Sequence, residues 1–321
     1  MNFPRPRRAL SAVALTAVLV ATAACGTGTT PSNSPEPDGS SGSGTAGASE
    51  SVADPLIVAV PNGTLDASIV AELYIGALTR AGVPVEARRD VTDWEQYGDA
   101  VREGRIDVVP GYTGELLYAF DATTTARESG EVSAELREAL PESLAVLDTG
   151  PASRQPLLAM TQAGSAEYEV TALSDLGEVC EDLGFGGPQP LLTRADGIPE
   201  LREDYDCDPS SFTQLETSQA SLEALINDRV QVAELVNTDP SLEAHGLVVL
   251  EGSRQHFMAD DIVPVVHQES VGEEAREVLN RVTAELTVED LIQLNIQRGG
   301  DAPVSASAAA ETWLTEHGFE Q

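Results

Sequence analysis

Short apolar runs alternate with longer amphipathic stretches along most of the chain from Leu56 onward. The short runs predict strands at residues 56–60, 83–87, 107–109, 183–185, 212–215, 230–235 and 263–267. The amphipathic stretches predict helices at residues 66–81, 94–102, 133–140, 218–228, 273–286, 288–297 and 306–317. Strands separated by helix-length segments are typical of βαβ units, so an α/β fold with largely parallel sheets is expected.

The length of this patterned region bears on the number of lobes. Roughly 265 residues exceed what one hydrophobic core usually organises, which favours two lobes. Asp66 follows the turn-forming residues 61–64 and is expected to cap the first helix. Gly318 is expected to end the last helix.

The N-terminal segment has the parts of a secretory signal. Arg5, Arg7 and Arg8 precede an apolar run at residues 9–24, and small residues come directly before Cys25. The run is too short, and too rich in Ala and Thr, to make a comfortable membrane span. Residues 1–24 are therefore predicted to be a signal peptide, and Cys25 resembles the lipidated cysteine of a bacterial lipobox. Ordinary secretion without the lipid is the alternative.

Residues 25–53 are predicted to be a flexible linker. Gly, Ser, Thr and Pro dominate this segment and no apolar periodicity is present, so it cannot bury enough surface to offset its ordering entropy. A Gly-rich coil of this length reaches on the order of 30 Å. We expect it to tether the folded body to the outer face of the cell membrane through a lipid on Cys25.

The two remaining cysteines, Cys180 and Cys207, form an even pair inside the folded body. In an oxidising compartment such a pair favours a disulfide. Closing a loop of that span would stabilise the fold by roughly 3 kcal/mol in the chain-entropy model. Two buried free thiols are the alternative.

The charge balance limits the possible partners. The formal net charge is −35, and every basic residue is an arginine. Nucleic acids and anionic lipid surfaces carry the same sign of charge and would be repelled, so no nucleic-acid partner is expected. The acidity is interpreted as a solvated surface rather than as a functional tail.

Five short segments occur in an order and spacing that resemble one known family. They are Asp107-Val108-Val109-Pro110-Gly111-Tyr112-Thr113-Gly114, Thr171-Ala172-Leu173-Ser174-Asp175-Leu176, Asn237-Thr238-Asp239 followed by Gly246-Leu247, Phe257 with Val263-Pro264-Val265-Val266, and Leu294-Asn295. From about Leu56 to its end, the chain resembles the substrate-binding proteins of glycine betaine, choline and carnitine ABC importers. Each segment alone is weak evidence for this family, whereas the five together, in this order and spacing, are specific evidence.

This resemblance implies the type II periplasmic-binding-protein fold, in which two α/β lobes are joined by two crossovers and hold the ligand in a cleft. Lobe 1 would contain residues 54–150 and 253–321, and lobe 2 residues 151–252. The implied partners are a small-molecule solute and an ABC permease with its ATPase, and the protein is expected to be a monomer. Closure of the cleft by hinge motion would then report the loaded state to the importer.

The resemblance also implies an aromatic cage, because ring faces attract a quaternary ammonium group. Of the family's cage tyrosines only Tyr112 is present here. The other cage positions fall near Pro156-Leu157, at Val236 and at Asp260. Two interpretations follow: either Asp260 supplies a counter-charge to a quaternary ammonium osmolyte, or the ligand is another small solute such as an amine.

Ligands of open α/β sheets bind at the carboxyl ends of strands, and Asn62, Tyr112 and Asn237 each follow such an end. Arg154 lies at the predicted first crossover and could bind a ligand carboxylate. The full set of predicted ligand contacts is Asn62, Thr64, Tyr112, Thr113, Arg154, Gln155, Asn237, Thr238 and Asp260.

Enzyme chemistry has little support in the sequence. The four histidines lack metal-ligand spacing, Gly111-Tyr112-Thr113-Gly114 is not a nucleophile elbow, and Gly184-Phe185-Gly186-Gly187 lacks the context of a dinucleotide site. No enzyme activity, metal or cofactor is therefore expected. A binding module that serves as a surface sensor or adhesin, without an importer, is the remaining alternative class.

Overall fold

The computed structural model describes residues 54–61, 65–89, 94–299 and 302–320. The predicted signal peptide and linker, with Cys25, lie outside these ranges, as do the candidate contacts Asn62 and Thr64. Among the helices in the described ranges, none combines the length and apolar character needed to cross a bilayer.

The first sheet has five strands in the order β2-β1-β3-β10-β4. They are β1 Leu56–Ala59, β2 Val85–Arg88, β3 Val108–Tyr112, β4 Leu144–Val146 and β10 Ile262–His267. β1 pairs in parallel with β2 and β3, whereas β10 runs antiparallel to both β3 and β4. The expectation of largely parallel sheets needs correction here, because β10 re-enters the sheet from the opposite end.

In the described ranges, seven helices cover the two faces of this sheet, and with the sheet they form what we call lobe 1. They are α1 Leu65–Arg80, α2 Trp94–Arg102, α3 Thr113–Phe120, α4 Ser129–Ala139, α11 Glu273–Glu285, α12 Val288–Gly299 and α13 Ala306–Glu316. On one face Tyr74 of α1 packs with Leu279 and Leu314. On the other face Leu117 packs with Leu136. Both faces of the central strands β3 and β10 are buried, which explains why these two strands consist almost entirely of apolar residues.

The second sheet has the order β7-β6-β8-β5-β9 and, with its helices, forms lobe 2. Its strands are β5 Pro156–Met160, β6 Gly184–Gly187, β7 Ser211–Gln214, β8 Val232–Val236 and β9 Val248–Val249. Its helices are α5 Gln162–Tyr168, α6 Gln189–Thr193, α7 Ile198–Tyr205, α8 Ser218–Ile226 and α9 Ser241–Ala244. The short helix α10 Ser253–His256 lies in the segment that leads from β9 back to the first sheet. β6 is parallel to β7 and β8, whereas β5 is antiparallel to β8 and β9.

A disulfide joins Cys180 to Cys207, with their Cα atoms 5.1 Å apart, so the predicted bridge is confirmed. Cys180 begins a short 3₁₀ helix and Cys207 follows α7. Both cysteines are buried in the same apolar cluster as Leu183 and Phe185. The bridge therefore joins the 3₁₀ helix that precedes β6 to the segment that follows α7.

Two crossovers connect the lobes, at residues 147–155 and 250–261, and they lie side by side. Arg154 donates its backbone N–H to the carbonyl of Asp260 at 2.9 Å, and Ile262 donates to Ala152 at 3.0 Å. Gln155 adds a side-chain bond, since its Nε2 donates to the carbonyl of Met258 at 3.0 Å. The paired crossovers bring residues from both into the space between the lobes.

Candidate functional site

A cavity of about 1040 Å³ lies between the two lobes. Both lobes and both crossovers contribute polar side chains to its wall. These include Asp66, Glu115, Tyr118 and Asn295 from lobe 1, Arg194, Glu234 and Thr238 from lobe 2, and Arg154 and Asp260 from the crossovers. Carboxylates outnumber guanidinium groups in this lining, so the cavity favours a ligand with positive charge.

The turn at Tyr112-Thr113-Gly114 fixes Asp260 in the cavity wall. The backbone N–H groups of Gly114 and Glu115 donate to Oδ1 of Asp260 at 2.9 and 3.0 Å. These N–H groups belong to the first turn of α3, where they have no partner within the helix. A Cβ atom on Gly114 would come within 2.6 Å of the Ala259 carbonyl oxygen, so the close approach needs glycine.

The pKa of Asp260 is raised to about 7, chiefly by burial and also by the neighbouring Glu115 carboxylate. The backbone N–H of Glu115 and the Arg154 guanidinium act in the opposite direction. Without a cationic partner in the cavity, this carboxyl group therefore changes protonation near neutral pH.

Lobe 2 presents a second buried carboxylate, Glu234, from the middle of β8. Its Oε2 lies 3.7 Å from Nη2 of Arg194. Within the described part of the chain, neither of these two buried atoms has a hydrogen-bond partner. Arg194 is held from its other side by Asp196, which also accepts the backbone N–H of Met258 at 2.8 Å. The guanidinium is thus positioned by its neighbours, and the Glu234 carboxylate keeps hydrogen-bonding capacity for a ligand.

Burial also raises the pKa of Glu234, to about 7. The positive charges of Arg194 and Arg154 lower it in part, and Asp196 raises it. Because the neutral form is favoured in the folded state, Glu234 contributes stability that is fully present below its ordinary pKa of 4.5 and is lost as the pH rises through 7.

We therefore expect the Glu234→Gln variant to lose less stability than the wild-type chain between pH 4.5 and 8. A rise in pKa from 4.5 to about 7 corresponds to about 3 kcal/mol of unfolding free energy. Urea unfolding of both chains, without ligand, measures the difference. Glu216→Gln is the matched control, because Glu216 lines the same cavity but is exposed. An identical pH dependence for wild type and Glu234→Gln would contradict the assignment.

Asp66 links the two lobes across the cavity. Its Oδ2 accepts a hydrogen bond from Oγ1 of Thr238 in lobe 2 at 2.8 Å, and its Oδ1 accepts one from Nδ2 of Asn295 at 2.5 Å. The Arg154 guanidinium lies 3.6 Å from the same carboxylate. The expectation that Asp66 caps the first helix is wrong, because α1 begins one residue earlier and the carboxylate is used between the lobes.

Among the described residues, some of the predicted ligand contacts line the cavity, and the others lie outside its lining. Arg154, Thr238 and Asp260 line the cavity. Tyr112 is buried at the end of β3, with the Arg154 guanidinium carbon 5.7 Å from its ring centroid, and it is not among the lining residues.

The remaining predicted contacts brace the crossovers. Oγ1 of Thr113 accepts the backbone N–H of Asp261 at 3.0 Å. Oδ1 of Asn237 accepts the backbone N–H of Gln155 at 2.8 Å. Neither Thr113, Gln155 nor Asn237 is among the lining residues. The roles of all these residues in ligand binding stay predictions.

The positions at which the resemblance implies cage aromatics do come together. Pro156, Val236 and Asp260 all line the cavity, and Pro156 is the register partner of Val236 on neighbouring strands. Among the described lining residues, Tyr118 is the only Phe, Tyr or Trp. The geometry of a ligand site is therefore present, but its wall has one aromatic side chain of this kind among the described lining residues, rather than a cage of several.

Sequence reasoning missed Glu234, Arg194, Asp196 and the interlobe role of Asp66. A signal for Glu234 was available: side chains two apart on a strand share a face, so Glu234 faces the same side as Val236, which was already assigned to the site. A carboxylate within an otherwise apolar strand is itself unusual. Arg194 and Asp196 lie on a loop after α6, and no local pattern marks them.

Among the described residues, no group of histidine, cysteine or carboxylate side chains is arranged to hold a metal ion.

A known protein family and a known protein match most of this chain. The family model for the substrate-binding domain of ABC-type glycine betaine transport systems matches residues 54–316. The glycine betaine-binding protein YehZ of Escherichia coli (strain K12) is 22% identical over 269 residues, which cover 79% of this chain and 88% of that protein.

Solved structures show the same architecture. A crystal structure of a glycine betaine/carnitine/choline ABC transporter protein matches with a TM-score of 0.69 at 18% identity, covering 83% of this chain and 99% of the other. YehZ from Escherichia coli in its apo form matches with a TM-score of 0.62 at 21% identity, covering 83% and 100%. The expected type II periplasmic-binding-protein fold, with two α/β lobes and mixed sheets, is confirmed.

Proposed function

Because the chain belongs to the family of substrate-binding domains of ABC-type glycine betaine transport systems, we propose that it captures a small solute with a positively charged nitrogen outside the cytoplasm. The solute would then pass to the permease and ATPase of an ABC importer. The observation that carries this proposal is the interlobe cavity, in which Glu234 and Asp260 supply carboxylates from lobe 2 and from the second crossover. A cation between them would relieve the cost of burying both.

Calorimetric titration of the purified chain with glycine betaine, choline and carnitine tests this proposal. We expect saturable binding of at least one of them, and a rise in melting temperature with ligand concentration, because the ligand binds only the folded state. The absence of binding by all three, and by N,N-dimethylglycine and N,N-dimethylethanolamine, would contradict it. Sucrose, a neutral solute, is the control for nonspecific stabilisation.

We further propose that lobe 1 contains residues 54–150 and 253–321, and lobe 2 residues 151–252. The two sheets support this division, since residues 56–146 and 262–267 provide one and residues 156–249 the other. The side-by-side crossovers would act as the hinge.

The sequence pattern at residues 5–25 supports export and lipid attachment at Cys25 as part of the same proposal. We expect the wild-type chain in the membrane fraction of its host and the Cys25→Ser chain in the soluble extracytoplasmic fraction. Immunoblotting of fractionated cells measures the distribution, with detergent treatment to release the wild-type chain as the control. A soluble wild-type chain would contradict the lipid anchor but leave solute binding unaffected.

A further inference from the structure

The cavity holds a carboxylate whose hydrogen-bonding capacity is not used by the protein. Glu234 is buried, with 8% of its surface exposed. Its Oε2 has no hydrogen-bond partner in the described part of the chain, and the ion pair with Arg194 is too long, at 3.7 Å, to provide one. A buried carboxylate oxygen without a donor is costly, so the site is built for a ligand that brings one.

Asp260 supplies a second carboxylate to the cavity wall. Both backbone N–H groups that hold this side chain, from Gly114 and Glu115, donate to Oδ1. The side chain is therefore fixed in the cavity wall through Oδ1 by the first turn of α3.

A fully methylated ammonium group suits this wall poorly. It has no N–H to donate, and it is normally held by several aromatic faces, whereas Tyr118 is the only Phe, Tyr or Trp among the described lining residues. An ammonium group with at least one N–H would instead donate a charge-assisted hydrogen bond to a carboxylate, the stronger kind of hydrogen bond.

A donor for the other end of such a ligand is also present. Nη2 of Arg194 is buried at the cavity wall and has no hydrogen-bond partner among the described residues. Its guanidinium is kept in place by Asp196 and lies over the Phe257 ring, with its carbon 5.3 Å from the ring centroid. A carboxylate or hydroxyl oxygen of the ligand would satisfy this N–H.

We infer that this site prefers compact solutes that combine an N–H-bearing ammonium group with an oxygen acceptor over their fully methylated counterparts. This inference rests on the proposed function and narrows its substrate class. Glu234 is the specificity-determining residue, with Asp260 as the second carboxylate. Arg194 binds the ligand oxygen.

Two matched pairs of solutes test the inference on the wild-type chain, because the members of each pair differ by one methyl group in place of one N–H. They are N,N-dimethylglycine with glycine betaine, and N,N-dimethylethanolamine with choline. Calorimetry is done at about pH 8, above the pKa values near 7 of the two buried carboxyl groups. We expect the dimethyl member of each pair to bind at least about 10-fold more tightly, the effect of one hydrogen bond to a charged group.

Variants assign the preference to residues. Glu234→Gln is expected to reduce the preference to within about 2-fold, and Asp260→Asn to reduce it in part, while Glu216→Gln at the exposed rim of the same cavity retains it. Melting temperatures establish that each variant is folded. The solute comparison needs no variant, so it decides the inference even if Glu234→Gln does not fold.

The possible outcomes distinguish a failure of this inference from a failure of the proposed function. Equal or tighter binding of the fully methylated members by the wild-type chain overturns the inference and leaves the proposed function standing. A preference for the dimethyl members that survives in Glu234→Gln overturns the role of Glu234. Absence of binding by all four solutes overturns the proposed function, and the inference with it.

Discussion

We expect an Asp66→Ala variant to bind its solute roughly 100-fold more weakly than the wild-type chain. Asp66 accepts hydrogen bonds from Thr238 across the cavity and from Asn295 within lobe 1, and it faces the Arg154 guanidinium. Removing the carboxylate leaves the buried Thr238 hydroxyl without its acceptor and the Arg154 guanidinium without this counter-charge, and such losses cost about 1–3 kcal/mol each. The lobes would then close less readily around a ligand, and calorimetry measures the loss of affinity.

The Asp121→Ala variant is the matched control for this experiment. Asp121 accepts a hydrogen bond from Oγ1 of Thr123 at 2.6 Å, also between an aspartate and a threonine, but on the exposed surface of lobe 1. Its loss should change the affinity by less than about 2-fold, since exposed pairs contribute little. Wild-type affinity in a folded Asp66→Ala chain would show that the interlobe hydrogen bonds do not contribute to ligand binding.

The second large effect concerns stability rather than binding. Replacing Cys180 and Cys207 together by serine is expected to lower the free energy of unfolding by about 3.5 kcal/mol in the chain-entropy model, given their sequence separation of 27 residues. Neither cysteine lines the cavity, so the affinity for the solute should stay within about 2-fold of wild type. Urea unfolding of both chains gives the difference.

Reductant supplies the control for the disulfide prediction. The unfolding curve of the wild-type chain in excess dithiothreitol should approach that of the double variant, whereas the curve of the double variant should not change. If the double variant unfolds at the same urea concentration as the wild type, with the same slope, the bridge does not stabilise the fold.

The hydrophobic pattern predicted much of the fold because most elements bury one continuous apolar face. The helix at residues 94–102 has the predicted bounds, and the predicted strands lie within two residues of the observed ones at most ends. The pattern missed β5, whose sequence begins with Pro156 and continues with leucine, alanine and methionine. The local preference of this segment for a strand is weak. It forms one because β8 and β9 pair with it on both sides, so tertiary context decides its structure.

The site was less predictable than the fold for a physical reason. Its residues come from segments far apart in sequence, as the hydrogen bonds between Asp66 and Asn295 and between Gly114 and Asp260 show. Only a family resemblance placed Asp260 in the cavity, and it did so without indicating that α3 holds this side chain. Arg194 and Asp196 lie on a short loop without periodicity, so nothing local distinguishes them from surface residues.

The interlobe distance in solution tests the central claim, that two hinged lobes close on a small charged solute, most directly. Nitroxide labels at Glu138→Cys on α4 and Glu223→Cys on α8 occupy exposed positions on opposite lobes, with Cys25→Ser to avoid a third label. Double electron–electron resonance is recorded with and without a solute whose binding calorimetry has established. We predict a shorter and narrower distance distribution with the solute. An unchanged distribution at saturating solute would contradict closure.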